Sequence, residues 1–322
     1  MARSRLLVRR SLADLSPGDL VLVGLSGGAD SLALAAATAF VAPRAGLSWG
    51  AVVVDHRLQP GSDRIAAEAA EHARALGADP VRVDRVDAAA GPLGPEGSAR
   101  EARLDALRRV AAETSAVAVL LAHTRDDQAE TVLLGLARGS GPRSLAGMAS
   151  QAGLLLRPLL DLTRAEARQV CEVADLTPWT DPHNADPAYA RSRVRTEVLP
   201  VLEKQLGPGV GDALARTADL LRADTDLLDL LADDLLAAVR VRAGGVALDL
   251  AGLAAAPAAL RGRVLRTAAL DAGAPATDLT SGHVADMERL VTDWHGQQGV
   301  DLPGRLWVSR DGAALRFTRD PP

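Results

Sequence analysis

The sequence predicts an α/β protein, in which a parallel-sheet domain is followed by a helical linker and a small α+β domain. Short runs rich in Val, Leu and Ala are each followed by a helix-like segment, the runs are continuously apolar rather than alternating, and polar residues cluster where the runs end. Continuous apolar strands followed by helices are typical of a parallel sheet covered on both faces. Ligands of such sheets bind beyond the carboxyl ends of the strands.

The first predicted domain spans residues 1–200. Its strands are expected at 21–25, 50–54, 81–83 and 117–122, and the helices that follow them at 31–40, 62–77, 98–113 and 127–138. Residues 165–174 predict a further helix. The Gly- and Pro-rich stretch Ala88–Gly97 predicts a flexible loop, which is either a flap over the site or an inert connector.

A leucine-rich helical pattern predicts a linker over residues 201–243. Residues 244–322 then predict the small α+β domain. Its elements are a strand at 246–250, helices at 260–272 and 281–294, and a hairpin whose strands are 306–308 and 314–317.

Composition narrows the class of protein. The single cysteine, Cys171, excludes a disulfide framework within the chain and a cysteine-based zinc site, and a buried structural role is expected for it. The net charge of −5 gives no overall basic excess, so any RNA contact must come from local arginine clusters. No apolar stretch approaches about 18 residues, which predicts a protein without a membrane span, located in the cytoplasm.

The first predicted strand ends in a small-residue loop made of Ser26, Gly27, Gly28, Ala29, Asp30 and Ser31. Unpaired N–H groups at a helix start bind phosphate, and adjacent glycines allow its close approach. A carboxylate beside phosphate repels it unless Mg²⁺ lies between them, so Asp30 indicates a nucleotide-plus-metal site. The loop is neither a Walker A motif nor a G-x-G-x-x-G motif. The alternative is an ordinary strand-to-helix turn.

The fourth predicted strand is followed by a second polar segment that contains His123, Asp126, Asp127 and Glu130. Residues three or four apart share a helix face, so these carboxylates could bind a divalent cation or a protonated amine. The alternative is an acidic helix start in which Asp is the cap and Glu completes a capping box.

The loop Ser26–Ser31 resembles the pyrophosphate-binding loop of the N-type ATP pyrophosphatases. Several motifs are similar to those of one family within that group, the tRNA(Ile)-lysidine synthetases, and they cover residues 20–200 in order. These motifs are Val53–Gln59, Arg100–Arg103, Leu121–Thr131, Arg138–Gly141, Arg157–Leu160, and Asp181–Asn184 followed by Arg191–Arg195. Gln59, Thr124 and Leu104 stand where the family usually has arginine, a second histidine and often tyrosine.

The resemblance implies an adenine nucleotide α-hydrolase-like fold and a two-step reaction. The wobble cytidine of tRNA(Ile) with a CAU anticodon is adenylated by ATP with Mg²⁺, and free lysine then displaces AMP. Asp55, His56 and His123 are expected near ATP, Asp30 on the metal, Arg103 at the α-phosphate, and Asp127 and Glu130 on lysine, with Glu130 as candidate base. The arginines expected on tRNA are Arg138, Arg143, Arg191, Arg193 and Arg195.

Two other functions fit the same residues. Another tRNA-modifying or amidating ATP pyrophosphatase is one alternative, although thiolases of this kind depend on paired cysteines and the chain has one cysteine. A non-catalytic, ATP-regulated tRNA-binding protein is the other, although pure binding would not require an acidic cluster facing phosphate. Paired subunits are common in the family, so a homodimer is a candidate assembly.

Overall fold

Two compact units make up the chain, Met1–Arg222 and Ala223–Pro322. The computed structural model describes residues 1–55, 57, 61–86, 94–181, 186–241 and 245–319. In this described part, no helix is both long enough and apolar enough to cross a lipid bilayer.

The first unit contains a six-stranded sheet in the order β3-β2-β1-β4-β6-β5. The strands are β1 (Leu20–Leu25), β2 (Ser48–Asp55), β3 (Val81–Arg85), β4 (Ala118–Leu120), β5 (Gln151–Ala152) and β6 (Leu155–Leu156). All pairings are parallel except that of the edge strand β5 with β6. Strand β1 lies centrally, with Val23 beside Ala51 of β2 and Leu120 of β4.

Helices cover both faces of this sheet. The helices up to residue 173 are α1 (Ala2–Ser11), α2 (Ala29–Val41), α3 (Ser62–Ala75), α4 (Gly94–Thr114), α5 (Arg125–Ala137), α6 (Pro142–Leu145) and α7 (Arg164–Val173). Val21 and Val23 point into a core shared with α1, α2, α3 and α7, whereas Leu22 points into a second core with Leu107 of α4. The burial of both faces explains why the strands are continuously apolar.

From residue 190 onward, the first unit is mostly helical. This part comprises α8 (Ala190–Arg193), a π-helical turn (Val194–Val198), α9 (Leu199–Leu206) and the start of α10 (Val210–Val239). The boundary between the two units falls within α10.

The second unit has an antiparallel sheet in the order β7-β10-β9-β8. Its strands are β7 (Val246–Asp249), β8 (Val300–Leu302), β9 (Leu306–Asp311) and β10 (Ala314–Arg319), and its helices are α11 (Leu250–Ala255), α12 (Ala258–Asp271) and α13 (Ser281–Thr292). The core contains Leu248, Leu253, Leu265, Met287 and Leu290, together with Leu236 from the end of α10.

The predicted α/β fold class is confirmed, and the predicted strands and helices lie within a few residues of the observed ones. The sequence does not predict helices α1, α6, α8 and α11 or strands β5, β6 and β8, because short elements and a charged terminal helix leave little periodicity. One prediction was wrong: residues 94–97 belong to α4 rather than to the loop 88–97. Proline fits the first turn of a helix, where its missing N–H is not needed, so Pro95 does not prevent this start. The rest of that loop, through residue 93, lies outside the described residues.

Candidate active site

The loop Ser26–Ser31 joins the central strand β1 to helix α2 and is held by its own hydrogen bonds. The Ser31 hydroxyl donates to the Gly28 carbonyl (2.9 Å) and accepts from the Ser26 N–H (3.2 Å). Gly27 has a φ of +79°, which favours glycine, and its carbonyl accepts from the Trp179 N–H (3.0 Å). The first N–H groups of α2 therefore meet the carboxyl edge of the sheet, where an anion can bind.

Asp30 lies in the first turn of α2, and its side chain is 26% exposed. Its Oδ1 atom is buried and has no hydrogen-bond partner among the described residues. Burial, and then the nearby charge of Asp127, raises the pKa of Asp30 to about 6. A buried carboxylate oxygen without a partner, beside a phosphate loop, fits a Mg²⁺ ion held by one protein carboxylate and the phosphates of a nucleotide. The described residues contain no cluster of three or more His, Cys, Asp or Glu side chains that could hold a metal unaided.

Arg164, the first residue of α7, connects this loop to the acidic segment. Its Nε lies 3.8 Å from Asp30 Oδ2, and its Nη1 lies 3.9 Å from Asp126 Oδ1. Its Nη2 lies 3.2 Å from Asp127 Oδ1 and 3.1 Å from Glu130 Oε1. The two segments predicted from the sequence therefore meet around one guanidinium group.

Glu130 is fully buried beneath three arginines. Its Oε1 accepts from Arg164 Nη2 (3.1 Å) and Arg195 Nε (2.8 Å), and its Oε2 accepts from Arg191 Nε (2.9 Å) and Arg195 Nη2 (3.0 Å). A buried carboxylate is tolerated only when it is paired and hydrogen-bonded, and these four donors meet that requirement.

Two local features place these side chains. Thr124 precedes α5, and its N–H and hydroxyl both donate to Asp127 Oδ2 (2.8 and 3.0 Å), which fixes the carboxylate at the helix start. Here threonine, one of the departures from the family pattern, caps the helix, whereas the alternative interpretation of this segment has Asp as the cap. Helix α8 and the π-helical turn carry Arg191 and Arg195, which are four residues apart and therefore share a face.

His123 lies near Asp127 and near two arginines, Arg103 and Arg157. His123 follows β4, and burial, aided by the charges of Arg103 and Arg157, lowers its pKa to about 3. The imidazole is therefore neutral at physiological pH. The buried atoms His123 Nδ1, Arg103 Nε and Arg157 Nε find no hydrogen-bond partner in the described part of the chain.

The remaining predicted residues are more scattered. Asp55 is buried at the end of β2, where its Oδ1 accepts from the Arg57 N–H (3.0 Å). His56 and Gln59 lie outside the described residues. Arg138 and Arg143 are exposed beyond the end of α5. Arg193 is exposed and donates to the Pro187 and Ala188 carbonyls, whereas Arg191 and Arg195 contact Glu130.

A cavity of about 360 Å³ adjoins the acidic segment. The residues that line it include Asp126, Glu130, Arg164, Arg195 and Glu203. This volume is large enough for a small molecule.

Comparison with known proteins identifies the family. A family model described as the PP-loop domain matches residues 6–202, and one described as the TilS substrate binding domain matches residues 248–315. A tRNA(Ile)-lysidine synthase from Thermobifida fusca is 58% identical over 305 residues, which are 94% of this chain and 93% of the relative. The chain belongs to the tRNA(Ile)-lysidine synthase family. The family resemblance noted in the sequence is thus confirmed.

Other tRNA(Ile)-lysidine synthases match the chain over a similar length. The protein from Salinispora tropica is 54% identical over 98% of this chain and 95% of its own, and that from Mycobacterium bovis is 47% identical over 93% and 91%. The family members are ATP-dependent ligases, and the PP-loop match includes every residue of Ser26–Ser31.

A solved structure supports the fold alone. The U34-tRNA thiolase NcsA from Methanococcus maripaludis, with its [4Fe-4S] cluster, has a TM-score of 0.58 and 21% identity over 69% of this chain and 79% of its own. Cys171 of this synthase family member is buried, and its Sγ donates to the Ala29 carbonyl beneath the phosphate loop. The expected structural role of Cys171 agrees with this position.

Ionised Asp30 is expected to destabilise this synthase in the absence of Mg²⁺ and nucleotide. Its pKa is raised from 3.8 to about 6 in the folded protein. The folded state is therefore most stable below pH 3.8, where the carboxyl group is protonated, and stability is lost as the pH rises through 6. Asp30→Asn should therefore raise the free energy of unfolding at pH 7.5 by at most about 3 kcal/mol, and the Tm should rise with it. The difference from the wild type should shrink at pH 4.5. Equal differences in Tm at the two pH values would contradict the assigned burial of this carboxylate.

Proposed function

We propose that this chain ligates free lysine to C2 of the wobble cytidine in tRNA(Ile) with a CAU anticodon, through an adenylated cytidine, and releases pyrophosphate and AMP. The observation that carries the proposal is the position of Arg164, which contacts Asp30 beside the phosphate loop and also Asp127 and Glu130. A nucleotide and an amino acid bound at these two places would share one site.

The first half-reaction joins cytosine O2 to the α-phosphorus of ATP and breaks the bond to the β-phosphate. The protein's part is to position the groups and to stabilise negative charge. The N–H groups and hydroxyls of Ser26–Ser31 would hold the β- and γ-phosphates, and Asp30 would hold Mg²⁺, which neutralises phosphate charge when bound. Arg103 would stabilise the α-phosphate, with neutral His123 beside it as a donor. Asp55 and His56 would lie near adenosine.

The second half-reaction joins the lysine ε-amine to C2 and expels AMP. Asp127 and Glu130 would bind the ammonium group, and the adjoining cavity has room for an amino acid. The amine must lose a proton before it attacks, and Glu130 is our candidate acceptor. Because Glu130 already accepts four hydrogen bonds from arginines, a donor must leave before it can take this role.

We assign RNA binding to exposed arginines and to the C-terminal part of the chain. Residues 1–200 would form the catalytic domain, 201–243 the linker, and 244–322 a tRNA-contacting domain that contains the matched substrate binding region. Arg138, Arg143 and Arg193 are exposed. Arg191 and Arg195 would reach RNA only by giving up contacts with Glu130. A cytoplasmic homodimer is our expectation for the assembly.

Arg193→Ala should weaken tRNA binding and lower its salt dependence. Each phosphate contact that is lost reduces the slope of log K against log salt by about 0.7 to 0.9. Binding of the tRNA should be measured at salt concentrations from about 50 to about 200 mM. Arg64→Ala, which removes an exposed arginine from α3, is the matched control and should keep the wild-type slope. An unchanged slope in Arg193→Ala would remove this residue from the RNA interface.

Labelled lysine tests the proposed function. Purified protein, ATP and Mg²⁺ are incubated with labelled lysine and a tRNA(Ile) transcript bearing CAU, and the RNA is then examined for label. We expect stoichiometric label, with one AMP and one pyrophosphate released per lysine, and none with a transcript whose wobble base is uridine. ATP cleavage without label would favour another tRNA-modifying ATP pyrophosphatase, and tRNA binding without cleavage would favour a binding protein.

A further inference from the structure

A single nitrogen atom of Arg164 lies between the two carboxylates assigned to lysine. Its Nη2 is 3.2 Å from Asp127 Oδ1 and 3.1 Å from Glu130 Oε1. An ammonium nitrogen that bonded both oxygens would lie in the same gap between them, next to the positive charge of Arg164. Arg164 and the substrate amine therefore compete for this pair of oxygens.

Among the described residues, the arginine donors already fill the acceptor positions of Glu130. An ionised carboxylate has about four lone-pair positions, and Glu130 accepts from Arg164, Arg191 and twice from Arg195. Asp127 Oδ2 accepts twice from Thr124. Removal of Arg164 Nη2 would free one position on each carboxylate, on the oxygens that face one another.

The same guanidinium group reaches toward the phosphate loop. Its Nε lies 3.8 Å from Asp30 Oδ2, and its side chain is 17% exposed. The backbone N–H of Arg164 donates to Asp126 Oδ2 (2.8 Å), which anchors the backbone at the start of α7. The side chain lies between Asp30 and the carboxylate pair of Asp127 and Glu130. Arginine binds phosphate through a planar set of donors, and a bound triphosphate would add several negative charges on the Asp30 side.

We propose that Arg164 blocks the lysine position until nucleotide is bound, and that the nucleotide phosphates draw its guanidinium away from Asp127 and Glu130. Arg164 is thus a positioning residue that couples the two substrates, so that lysine binds tightly only after ATP. This inference rests on the proposed binding of lysine by Asp127 and Glu130. This order of binding keeps lysine out of the site until ATP is present.

Calorimetry of lysine binding tests the coupling. The wild-type chain is titrated with lysine in Mg²⁺ buffer, alone and with saturating α,β-methylene-ATP, which cannot release pyrophosphate. Allosteric couplings typically span about 5- to 150-fold, and we expect lysine affinity to rise at least about tenfold with the nucleotide. In Arg164→Ala the two affinities should be nearly equal, and both should approach that of the nucleotide-bound wild type. Arg168→Ala, which removes an exposed arginine one turn later in α7, should keep the wild-type ratio.

Reciprocity gives a second test that needs no variant. Lysine must raise the affinity of wild-type protein for α,β-methylene-ATP by the same factor, since coupling free energy is mutual. Equal lysine affinities with and without nucleotide in the wild type would overturn the coupling but leave lysine binding, and so the proposed function, intact. Unchanged coupling in folded Arg164→Ala would overturn the role of Arg164. Failure of lysine to bind in either state would overturn both proposals.

Discussion

Replacing Asp30 with asparagine is expected to abolish tRNA-dependent pyrophosphate release, with a loss on the order of 10²- to 10³-fold, as for other strong electrostatic contacts in active sites. Asp30 Oδ1 is buried without a partner among the described residues, and the carboxylate stands in the first turn of the helix that starts at the phosphate loop. Asparagine keeps the shape of the side chain but lacks the negative charge that holds Mg²⁺ beside phosphate. The rate of pyrophosphate release at saturating ATP measures this effect.

The control for Asp30 is another aspartate in a first helical turn. Asp63 lies in the first turn of α3 and is exposed, so Asp63→Asn should retain full activity. Because Asp30→Asn should also be more stable than the wild type at pH 7.5, its loss of activity cannot be attributed to unfolding. A variant that retained pyrophosphate release would remove Asp30 from the metal site.

Glu130→Gln is expected to lose lysine incorporation more severely than it loses adenylation of the RNA. Glutamine cannot accept the amine proton, and its NH₂ group would face arginine donors instead of accepting from them. Breaking one partner of a buried ion cluster costs about 3–5 kcal/mol, so the Tm should also fall. Adenylation should be measured as pyrophosphate release without lysine, and ligation as label in the RNA, both well below the Tm of the variant.

The control variants separate chemistry from stability. Glu113→Gln removes an exposed glutamate from α4 and should change neither step. Asp127→Asn, at the other carboxylate of the pair, should also impair ligation more than adenylation. Equal losses of the two steps in Glu130→Gln would contradict its assignment to the lysine side of the reaction.

The phosphate loop was predictable because its features are local. Three features follow one another from Val21 to Ser31, namely an apolar run buried on both faces, two glycines and a helix start. Each of these features has a characteristic backbone conformation. The acidic segment was predictable for the same reason, since Asp127 and Glu130 lie three apart on one helix. The meeting of the two segments follows from their positions at the ends of β1 and β4, which are neighbours in the sheet.

Arg164 could not be found in the same way. It is 34 residues from Glu130 in sequence, and as the first residue of an ordinary capped helix it has no local feature that marks it. Its position depends on two helix starts, those of α5 and α7, facing each other across the site, which only tertiary packing determines. A buried glutamate also needs cationic partners, but the sequence does not say which arginines provide them.

The arginines at 191, 193 and 195 show a second limit. Their alternating spacing predicts one set of RNA contacts. In the helical conformation of this segment, Arg191 and Arg195 lie on Glu130 while Arg193 faces outward. Three similar residues therefore occupy two different environments, and their proposed contacts with tRNA have to be tested one by one.

A single-turnover chase tests most directly whether one site performs both steps. Protein in excess is mixed with ATP, Mg²⁺ and the CAU transcript without lysine, excess ATP is then removed enzymatically, and labelled lysine is added. We predict a burst of one pyrophosphate per RNA before lysine is added, followed by release of one AMP and incorporation of one lysine per RNA without further ATP. Absence of the burst, or an adenylated RNA that fails to accept lysine until fresh ATP is supplied, would contradict a shared site for nucleotide and lysine.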